Sequence, residues 1–152
     1  MESTGRLQLG LVGCGGMGLR HALGYLEHRR VLGDRHGGLR LAAVFDRQPS
    51  AANHVADRVE RETGDRPAVH TDIESLAACP LDAWDIVTST PTHHLLALRA
   101  LQAGAHVMTE KPMGLTVRAC RLMRDAAAAR RRVVAVAENF RRDPLNRLTR
   151  AL

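Results

Sequence analysis

Short apolar runs alternate with longer amphipathic segments along most of this chain. The runs are rich in Leu, Val, Ile and Ala and are bounded by Gly, Asp or Pro, as buried strands commonly are. We predict strands over Leu7–Val12, Leu39–Phe45, Ala68–His70, Trp84–Ser89, Ala105–Thr109 and Val133–Ala137. We predict helices over Met17–Arg30, Pro49–Glu62, His93–Ala103 and Thr116–Arg130, with a short helix around Ile73, Leu76 and Ala77.

Residues with specific backbone preferences mark the ends of these helices. Proline at position 49 suits a first helical turn, and Gly64 and Gly104 follow the last residues of two helices. Either Thr71 or Asp72 can cap the short helix. The loop Gly33–Gly38 ends the first helix. The predicted inward stripes are Leu19, Ala22, Leu23 and Leu26 in the first helix and Leu95, Leu98 and Leu101 in the helix from His93.

Strands that alternate with helices in this way are typical of right-handed βαβ crossovers and a parallel sheet covered on both faces. We therefore predict a doubly wound α/β domain over residues 1–138. From Phe140 the pattern changes to a polar turn, 141–144, and a helical stub, Leu145–Leu152, so we assign residues 139–152 to a connector. Ligands of such sheets bind beyond the carboxyl ends of the strands, where the strand order reverses.

The first strand is followed by a glycine motif, Gly13-Cys14-Gly15-Gly16-Met17-Gly18, which has the form G-x-G-x-x-G. In this motif the first glycine permits a tight turn, the second allows a pyrophosphate to approach the backbone, and the third allows close helix–strand packing. The free amides at the start of the helix then face the anion. Between a strand and a helix, the motif predicts a dinucleotide site.

An acidic residue, Asp46, closes the second strand and strengthens that prediction. It lies 28 residues after Gly18, where about 20 is usual, and the loop Gly33–Gly38 accounts for the difference. Its carboxylate can accept hydrogen bonds from the adenosine ribose and would repel a 2′-phosphate, which favours NAD over NADP. The neighbouring Arg47 could stack on adenine or pair with a 2′-phosphate.

Composition excludes several other classes of protein. The chain has 152 residues, 45% hydrophobic and 25% charged, and a net charge of +6, as a single globular domain can have. Of its 22 basic residues 21 are arginines scattered along the chain, and aromatic residues make up 3%, so we expect no nucleic-acid partner. This bias makes the single lysine, Lys111, informative, because the chain uses arginine everywhere else.

The cysteines and histidines indicate no metal site and no disulfide scaffold. Cys14, Cys79 and Cys120 form no C-x-x-C pair, and His93 and His94 are adjacent and would diverge. No apolar run is long enough to span a membrane, and the first residues do not have the pattern of a secretory signal. We expect reduced thiols, a cytoplasmic location and no membrane partner.

The motifs together resemble the glucose-fructose oxidoreductase / inositol dehydrogenase / MocA family of NAD(P)-dependent oxidoreductases. The motifs that carry the resemblance are GCGGMG at 13–18, FDR at 45–47, TPTH at 90–93, EKP at 110–112 and ENFRRDP at 138–144, together with a helix that ends before AHV. They cover nearly the whole chain, and EKP at this distance after TPTH is the most specific of them.

The resemblance implies roles for residues at the strand ends. Lys111 would lie beside the nicotinamide and the substrate hydroxyl, where an ammonium can stabilise a developing alkoxide. Glu110 would position that turn rather than perform chemistry. His93 would lie near the nicotinamide end of the cofactor in direct contact with it, and the alternative is a histidine that only caps the following helix. By the same resemblance Ser89, Thr90 and Pro91 pass under the cofactor, Asn139 closes over the nicotinamide, and Arg141 bridges towards a following domain.

Members of this family carry a second α/β domain that holds much of the substrate site, and we expect it to be absent here because the chain stops at Leu152. The expected function is that of the NAD-binding domain of an oxidoreductase that acts on a sugar, inositol or related polyol. A stand-alone NAD-binding module without turnover is the alternative. The full-length form is expected to be a homo-oligomer, and this chain alone to be inactive.

Overall fold

The structure is a computed structural model that describes residues 5–32, 38–141 and 143–151. Its strands are β1 (Leu7–Val12), β2 (Leu39–Phe45), β3 (Ala68–His70), β4 (Ala83–Ile86), β5 (His106–Glu110) and β6 (Val134–Ala137). Within the described residues they form one six-stranded sheet in the order β3-β2-β1-β4-β5-β6, and all neighbours are parallel. The strand order reverses at β1, which pairs with β2 on one side and β4 on the other.

Helices connect the strands and cover both faces of the sheet. They are α1 (Gly16–Leu32), α2 (Pro49–Thr63), α3 (Ile73–Ala77), α4 (Thr90–Gln102), α5 (Val117–Arg130) and α6 (Pro144–Ala151), with a 3₁₀ turn at Asn139–Arg141. Helices α1 and α2 pack on one face, and α3, α4 and α5 on the other. The predicted doubly wound parallel α/β fold is confirmed.

The alternation of side chains along the strands produces two separate layers of core. Leu11 and Val44 are fully buried on the face towards α1 and α2. Trp84, Ile86 and Leu101 are fully buried on the opposite face. Because successive strand residues point to opposite faces, the sheet holds both layers at once. It follows that Asp85, between Trp84 and Ile86, points towards α1.

Several predicted helix ends are found as expected. Gly64 has a left-handed backbone with φ of 72° at the end of α2, and Pro49 is the first residue of that helix. Of the two candidate caps for α3, Asp72 has this role, because its side chain accepts a hydrogen bond from the Ser75 amide at 2.9 Å. All three cysteines are free.

The predicted inward stripe of α4 is partly wrong. Leu95 is 61% exposed and Leu98 is only partly buried, whereas Leu101 is fully buried as predicted. The buried positions of this helix are His93, Ala97, Ala100 and Leu101. The small alanines face the sheet because they allow the helix to pack closely on it. The prediction took the large leucines as the buried residues and therefore identified the wrong face of the helix. Leu23 in α1 is likewise 36% exposed, and this part of the first stripe is also wrong.

Element bounds differ from the predicted ones mainly around β4 and α4. The strand ends at Ile86 rather than Ser89, and the helix begins at Thr90 rather than His93. Proline at position 91 is compatible with the first helical turn, so it does not delay the helix. The predicted loop Gly33–Gly38, except Gly38, and the predicted positions Arg142 and Leu152 lie outside the described residues. In the parts that are described, no helix has both the length and the apolar character that a membrane span needs.

Candidate nucleotide-binding site

The turn between β1 and α1 lies between the ends of β2 and β4. The Gly13 amide donates to the Phe45 carbonyl at 2.8 Å, and the backbone of Gly13 has a φ of 101°. A Cβ at this position would lie 2.9 Å from the Val87 carbonyl oxygen. Only glycine satisfies both the backbone angle and the close approach. The turn is therefore fixed at the point where the strand order reverses.

The other glycines of the motif divide into two kinds. A Cβ on Gly18 would lie 2.0 Å from the Gly13 carbonyl oxygen, so this glycine is required for packing within the protein. A Cβ on Gly15 or Gly16 would meet no atom within 4 Å. The protein itself does not need glycine at these two positions. The open space lies at the N-terminus of α1, beside the exposed side chain of Met17. The first amides of a helix have no acceptor within that helix.

Asp46 is held against this turn by backbone amides. Its Oδ2 accepts from the Cys14 amide at 2.8 Å, and its Oδ1 accepts from the Gln48 amide at 2.9 Å. Each carboxylate oxygen keeps further acceptor capacity, so the group can still receive hydroxyl donors from a ligand. Arg47 is exposed beside it. The orientation of the Asp46 carboxylate is thus set by the protein before any ligand binds.

The thiol of Cys14 is buried beneath the same turn. Burial, with the negative charge of Asp46, raises its pKa to about 12, and its Sγ lies 3.5 Å from the Phe45 carbonyl oxygen. A thiol with such a pKa stays protonated near neutral pH and is a poor nucleophile. The contribution of Cys14 to the site is its backbone amide and its packing.

A groove runs from the glycine turn across the end of β1. The predicted site residues that line it are Gly13, Gly15, Asp46, Arg47 and Ser89. The sequence did not identify the remaining lining residues, which are Phe45, Ile73, Val87, Thr88, Thr92, Leu95 and Leu96. Apolar side chains predominate among them, as they do in ligand pockets that use a few polar groups for orientation. Leu95 could have been found from the sequence only by placing it on the outer side of α4.

Hydroxyl groups stabilise the turn between β4 and α4. Thr92 Oγ1 donates to the Ser89 carbonyl at 2.7 Å, so Thr88 Oγ1 is the donor in its 2.7 Å contact with Thr92 Oγ1. Thr90 and Pro91 form the first turn of α4. The turn that forms this wall of the groove is held by its own side chains.

His93 connects this turn to the one after β5. Its side chain is 1% exposed, with Nε2 3.0 Å from the Thr88 carbonyl oxygen and Nδ1 3.1 Å from the Pro112 carbonyl oxygen. A ring so enclosed presents almost no surface to a ligand. In this geometry His93 links two strand-end turns, which differs both from the direct contact that the resemblance implied and from the alternative of a helix cap.

Glu110 is the last residue of β5, and Lys111 begins the turn that follows it. Glu110 Oε2 accepts from the Lys111 amide at 2.9 Å, and the Lys111 side chain is exposed. Asn139 lies further along the same edge of the sheet, in the exposed 3₁₀ turn after β6. Because β5 and β6 are the second and third strands from β1 on this side, these residues lie beyond the groove that the glycine turn and Asp46 form.

A partly buried network that the sequence did not reveal includes Glu110. His21 on α1 places Nδ1 2.7 Å from Asp85 Oδ2 and Nε2 3.1 Å from Glu110 Oε1. The Tyr25 hydroxyl donates to the same Asp85 oxygen at 2.7 Å. The three elements that carry these residues, α1, β4 and β5, are far apart in sequence, and only the pairing of β4 with β5 under α1 brings them together. In the parts of the chain that are described, no three or more His, Cys, Asp or Glu side chains form a group able to hold a metal ion.

Two side chains of this network, His21 and Tyr25, have raised pKa values. The hydrogen bond to Asp85 is the main cause that raises the pKa of His21 above its ordinary value; Glu110 adds to the effect and burial opposes it. Burial, followed by the charge of Asp85, raises the pKa of Tyr25. The network therefore favours a positively charged imidazole between two carboxylates and keeps the phenol neutral.

Comparison with protein-family models places this geometry among known proteins. Residues 7–138 match the Gfo/Idh/MocA model, described as an oxidoreductase family with an NAD-binding Rossmann fold. The matched range covers β1 to β6 and includes the glycine turn, Asp46 and the turn after β5. It ends one residue before Asn139.

Individual relatives agree with the family match. Inositol 2-dehydrogenase of Burkholderia ambifaria is 32% identical over 131 residues, which cover 86% of this chain and 36% of the relative. A structure of levoglucosan dehydrogenase in complex with NADH and levoglucosan superposes with a TM-score of 0.79 at 28% identity and covers 90% of this chain and 36% of that one. The structure of GenD2 from gentamicin A biosynthesis, in complex with NAD, gives a TM-score of 0.78 at 28% identity, over 92% and 36%. The chain thus spans about a third of the length of the relatives it matches.

Proposed function

The chain belongs to the Gfo/Idh/MocA oxidoreductase family, and on that premise we propose that it is the NAD-binding part of a dehydrogenase. The proposed reaction is hydride transfer between NAD and a hydroxyl-bearing carbon of a sugar, inositol or related polyol. The relatives support this substrate class, because they include an inositol dehydrogenase and an enzyme in complex with levoglucosan. Residues 1–138 would form the cofactor domain, and 139–152 would lead into a following domain.

The observation that carries the proposal is the open space above Gly15 and Gly16. Glycines with no protein atom near the missing Cβ, at the start of a helix, leave room for an anion to reach the backbone amides. The Asp46 carboxylate, which two backbone amides hold in place, lies at the other side of the turn. There it can accept hydrogen bonds from the hydroxyls of a ribose. The residues present therefore fit a dinucleotide whose pyrophosphate lies over Gly15–Met17.

The remaining site residues would act towards the nicotinamide end. NAD, when bound, supplies the acceptor for the hydride. Lys111 would hydrogen-bond the substrate oxygen and stabilise its negative charge, and Glu110 would hold the Lys111 backbone in place. Ser89, Thr90 and Pro91 would form the surface below the cofactor, and Asn139 would approach it from the end of β6.

Cofactor preference gives a direct test of the role of Asp46. The unmodified chain is expected to bind NAD more tightly than NADP, and Asp46→Ser is expected to erase or reverse that preference. The reason is that the carboxylate no longer repels the 2′-phosphate, while Arg47 remains to pair with it. Calorimetric titration with both cofactors measures the ratio of the two affinities. Asp125→Ser, at an exposed position of α5, is the matched control and should leave the ratio unchanged. Equal affinities in the unmodified chain would contradict the assignment.

Turnover tests the proposed reaction. We expect the 152-residue chain to bind NAD but to reduce it little with any member of a polyol panel, because general acid–base catalysis is worth about 10² to 10⁴-fold and, among the described residues, no histidine is hydrogen-bonded to the Lys111 side chain. A version extended to the length of its relatives should be active and should lose most activity on Lys111→Ala. Cofactor binding without turnover in the extended version would favour the alternative, a stand-alone NAD-binding module. Robust hydride transfer by this chain with Lys111→Ala fully active would contradict the assigned chemistry.

A further inference from the structure

The network that joins Asp85, His21 and Glu110 begins at a buried carboxylate, that of Asp85. Asp85 lies on β4 between two other strands and is fully buried, with 0% of its surface exposed. Its Oδ2 receives both the Tyr25 hydroxyl and His21 Nδ1, each at 2.7 Å, while its Oδ1 has no hydrogen-bond partner among the described residues. A buried carboxylate retains its charge only with strong partners, and His21 is the one partner here that can carry a positive charge.

The geometry at His21 requires a particular form of the ring. Both ring nitrogens face carboxylate oxygens, of Asp85 on β4 and of Glu110 on β5, and ionised carboxylates only accept hydrogen bonds. A neutral imidazole has one N–H and can satisfy one of them. The imidazolium donates to both, so the complete network needs the protonated ring. Within residues 5–32, 38–141 and 143–151, no other charged side chain takes part in these contacts; Tyr25, one turn along α1, donates to Asp85.

The network ends at the backbone of Lys111, the lysine that is proposed to hydrogen-bond the substrate oxygen. Glu110 uses Oε1 for His21 and Oε2 for the Lys111 amide. When His21 is neutral, its 2.7 Å bond to Asp85 is the shorter of the two, so the 3.1 Å contact to Glu110 is the one that becomes unfavourable. Glu110 is then free to turn away, and the Lys111 turn loses its restraint.

We propose that His21 is a positioning residue for Lys111: the imidazolium between Asp85 and Glu110 fixes Glu110, and through it the turn that carries the lysine. The positioning role towards a nicotinamide rests on the proposed function, whereas the coupling of His21 to the Lys111 backbone does not. Because the pKa of His21 is raised in the folded protein, the direction of the pH dependence is defined. The network is complete below the ordinary pKa of histidine and is lost as the pH rises through the higher folded-state pKa.

The coupling can be measured in the chain as it exists by NMR. In ¹⁵N-labelled protein, the Lys111 amide resonance and the His21 ring resonances are followed between about pH 5 and about pH 9, the range that spans histidine titration. The Lys111 amide should show a titration step with the midpoint of His21. His21→Gln should abolish that step, whereas His28→Gln, an exposed histidine of the same helix, should leave it intact. A step that persists unchanged in His21→Gln would overturn the proposal.

A second variant keeps the test decisive if His21→Gln does not fold. Glu110→Gln removes a charge from a partly exposed side chain without changing its size. It should lower the midpoint of His21 and remove the step at Lys111. An unchanged midpoint together with an unchanged Lys111 step would show that the two sites are not coupled.

A binding measurement connects the network to the cofactor. NAD and ADP-ribose share the adenosine and pyrophosphate and differ in the nicotinamide. His21→Gln should remove the preference of the chain for NAD over ADP-ribose and leave the affinity for ADP-ribose unchanged. A retained preference would overturn the positioning role. If neither compound binds the unmodified chain, the proposed function fails, and the NMR result still decides the coupling.

Discussion

Replacing Gly16 with aspartate is expected to weaken NAD binding at least tenfold, about 1.4 kcal/mol, without destabilising the chain. No protein atom lies within 4 Å of the added Cβ, so the fold has room for the side chain. An acidic group in the first turn of α1 would even stabilise the helix by about 0.3 to 1 kcal/mol. The carboxylate would, however, occupy the place proposed for the pyrophosphate and repel it.

The same helix provides a matched control for that variant. Gly24 also has open space around its missing Cβ and is exposed, but it lies two turns further along α1. Gly24→Asp adds the same charge to the same helix and should bind NAD as the unmodified protein does. Calorimetry on both variants, with thermal unfolding as the check of the fold, measures the difference. Unchanged affinity in Gly16→Asp would remove the pyrophosphate from this turn.

Replacing Gly18 with alanine is expected to lower the free energy of unfolding by about 2 kcal/mol, whereas Gly16→Asp is expected not to lower it. The added Cβ would lie 2.0 Å from the Gly13 carbonyl oxygen and 2.9 Å from its carbonyl carbon. These are backbone atoms, so α1 must move away from the end of β1, or the glycine turn must deform. Overpacking of this kind costs about 1 to 3 kcal/mol, and it outweighs the gain of up to about 1 kcal/mol from the helix propensity of alanine.

Gly24→Ala separates the contribution of helix propensity from the cost of the close backbone contact. It brings the same change in helix propensity where no atom is near, so it should stabilise the chain by up to about 1 kcal/mol. Urea unfolding of the two variants should therefore move the midpoints in opposite directions. Equal midpoints would show that the close approach of Gly18 to Gly13 costs nothing, and that α1 packs on β1 differently from the structure.

The glycine turn and the position of Asp46 at the end of β2 could be predicted because their determinants are local. A strand, a glycine turn and a helix follow one another within Leu7–Leu32, and Asp46 directly follows the next strand in the chain. The periodicity of the apolar residues determines these elements, and parallel pairing places their ends at one edge. The residue-level assignment failed where size was taken as a sign of burial. In α4 it was Ala97 and Ala100 that faced the sheet, and Leu95 that lined the groove.

The network around His21 could not be predicted, because its members are distant in sequence. His21 lies 64 residues from Asp85 and 89 from Glu110, and no local pattern connects them. The structure gives His21 two carboxylate partners, Asp85 and Glu110. Asp85 also interrupts an apolar strand, which was a visible signal, but its partner could be named only once α1 was placed over β4.

The sequence by itself determined the order of strands and helices, the glycine turn and the acidic residue that follows β2, because these depend on neighbouring residues and on the period of each element. The tertiary structure decided which glycines face open space, which face of α4 is buried, and which carboxylates surround His21. Those features depend on how the sheet aligns segments far apart in the chain. The register of β4 with β5 and the position of α1 above them set distances that no local sequence pattern contains.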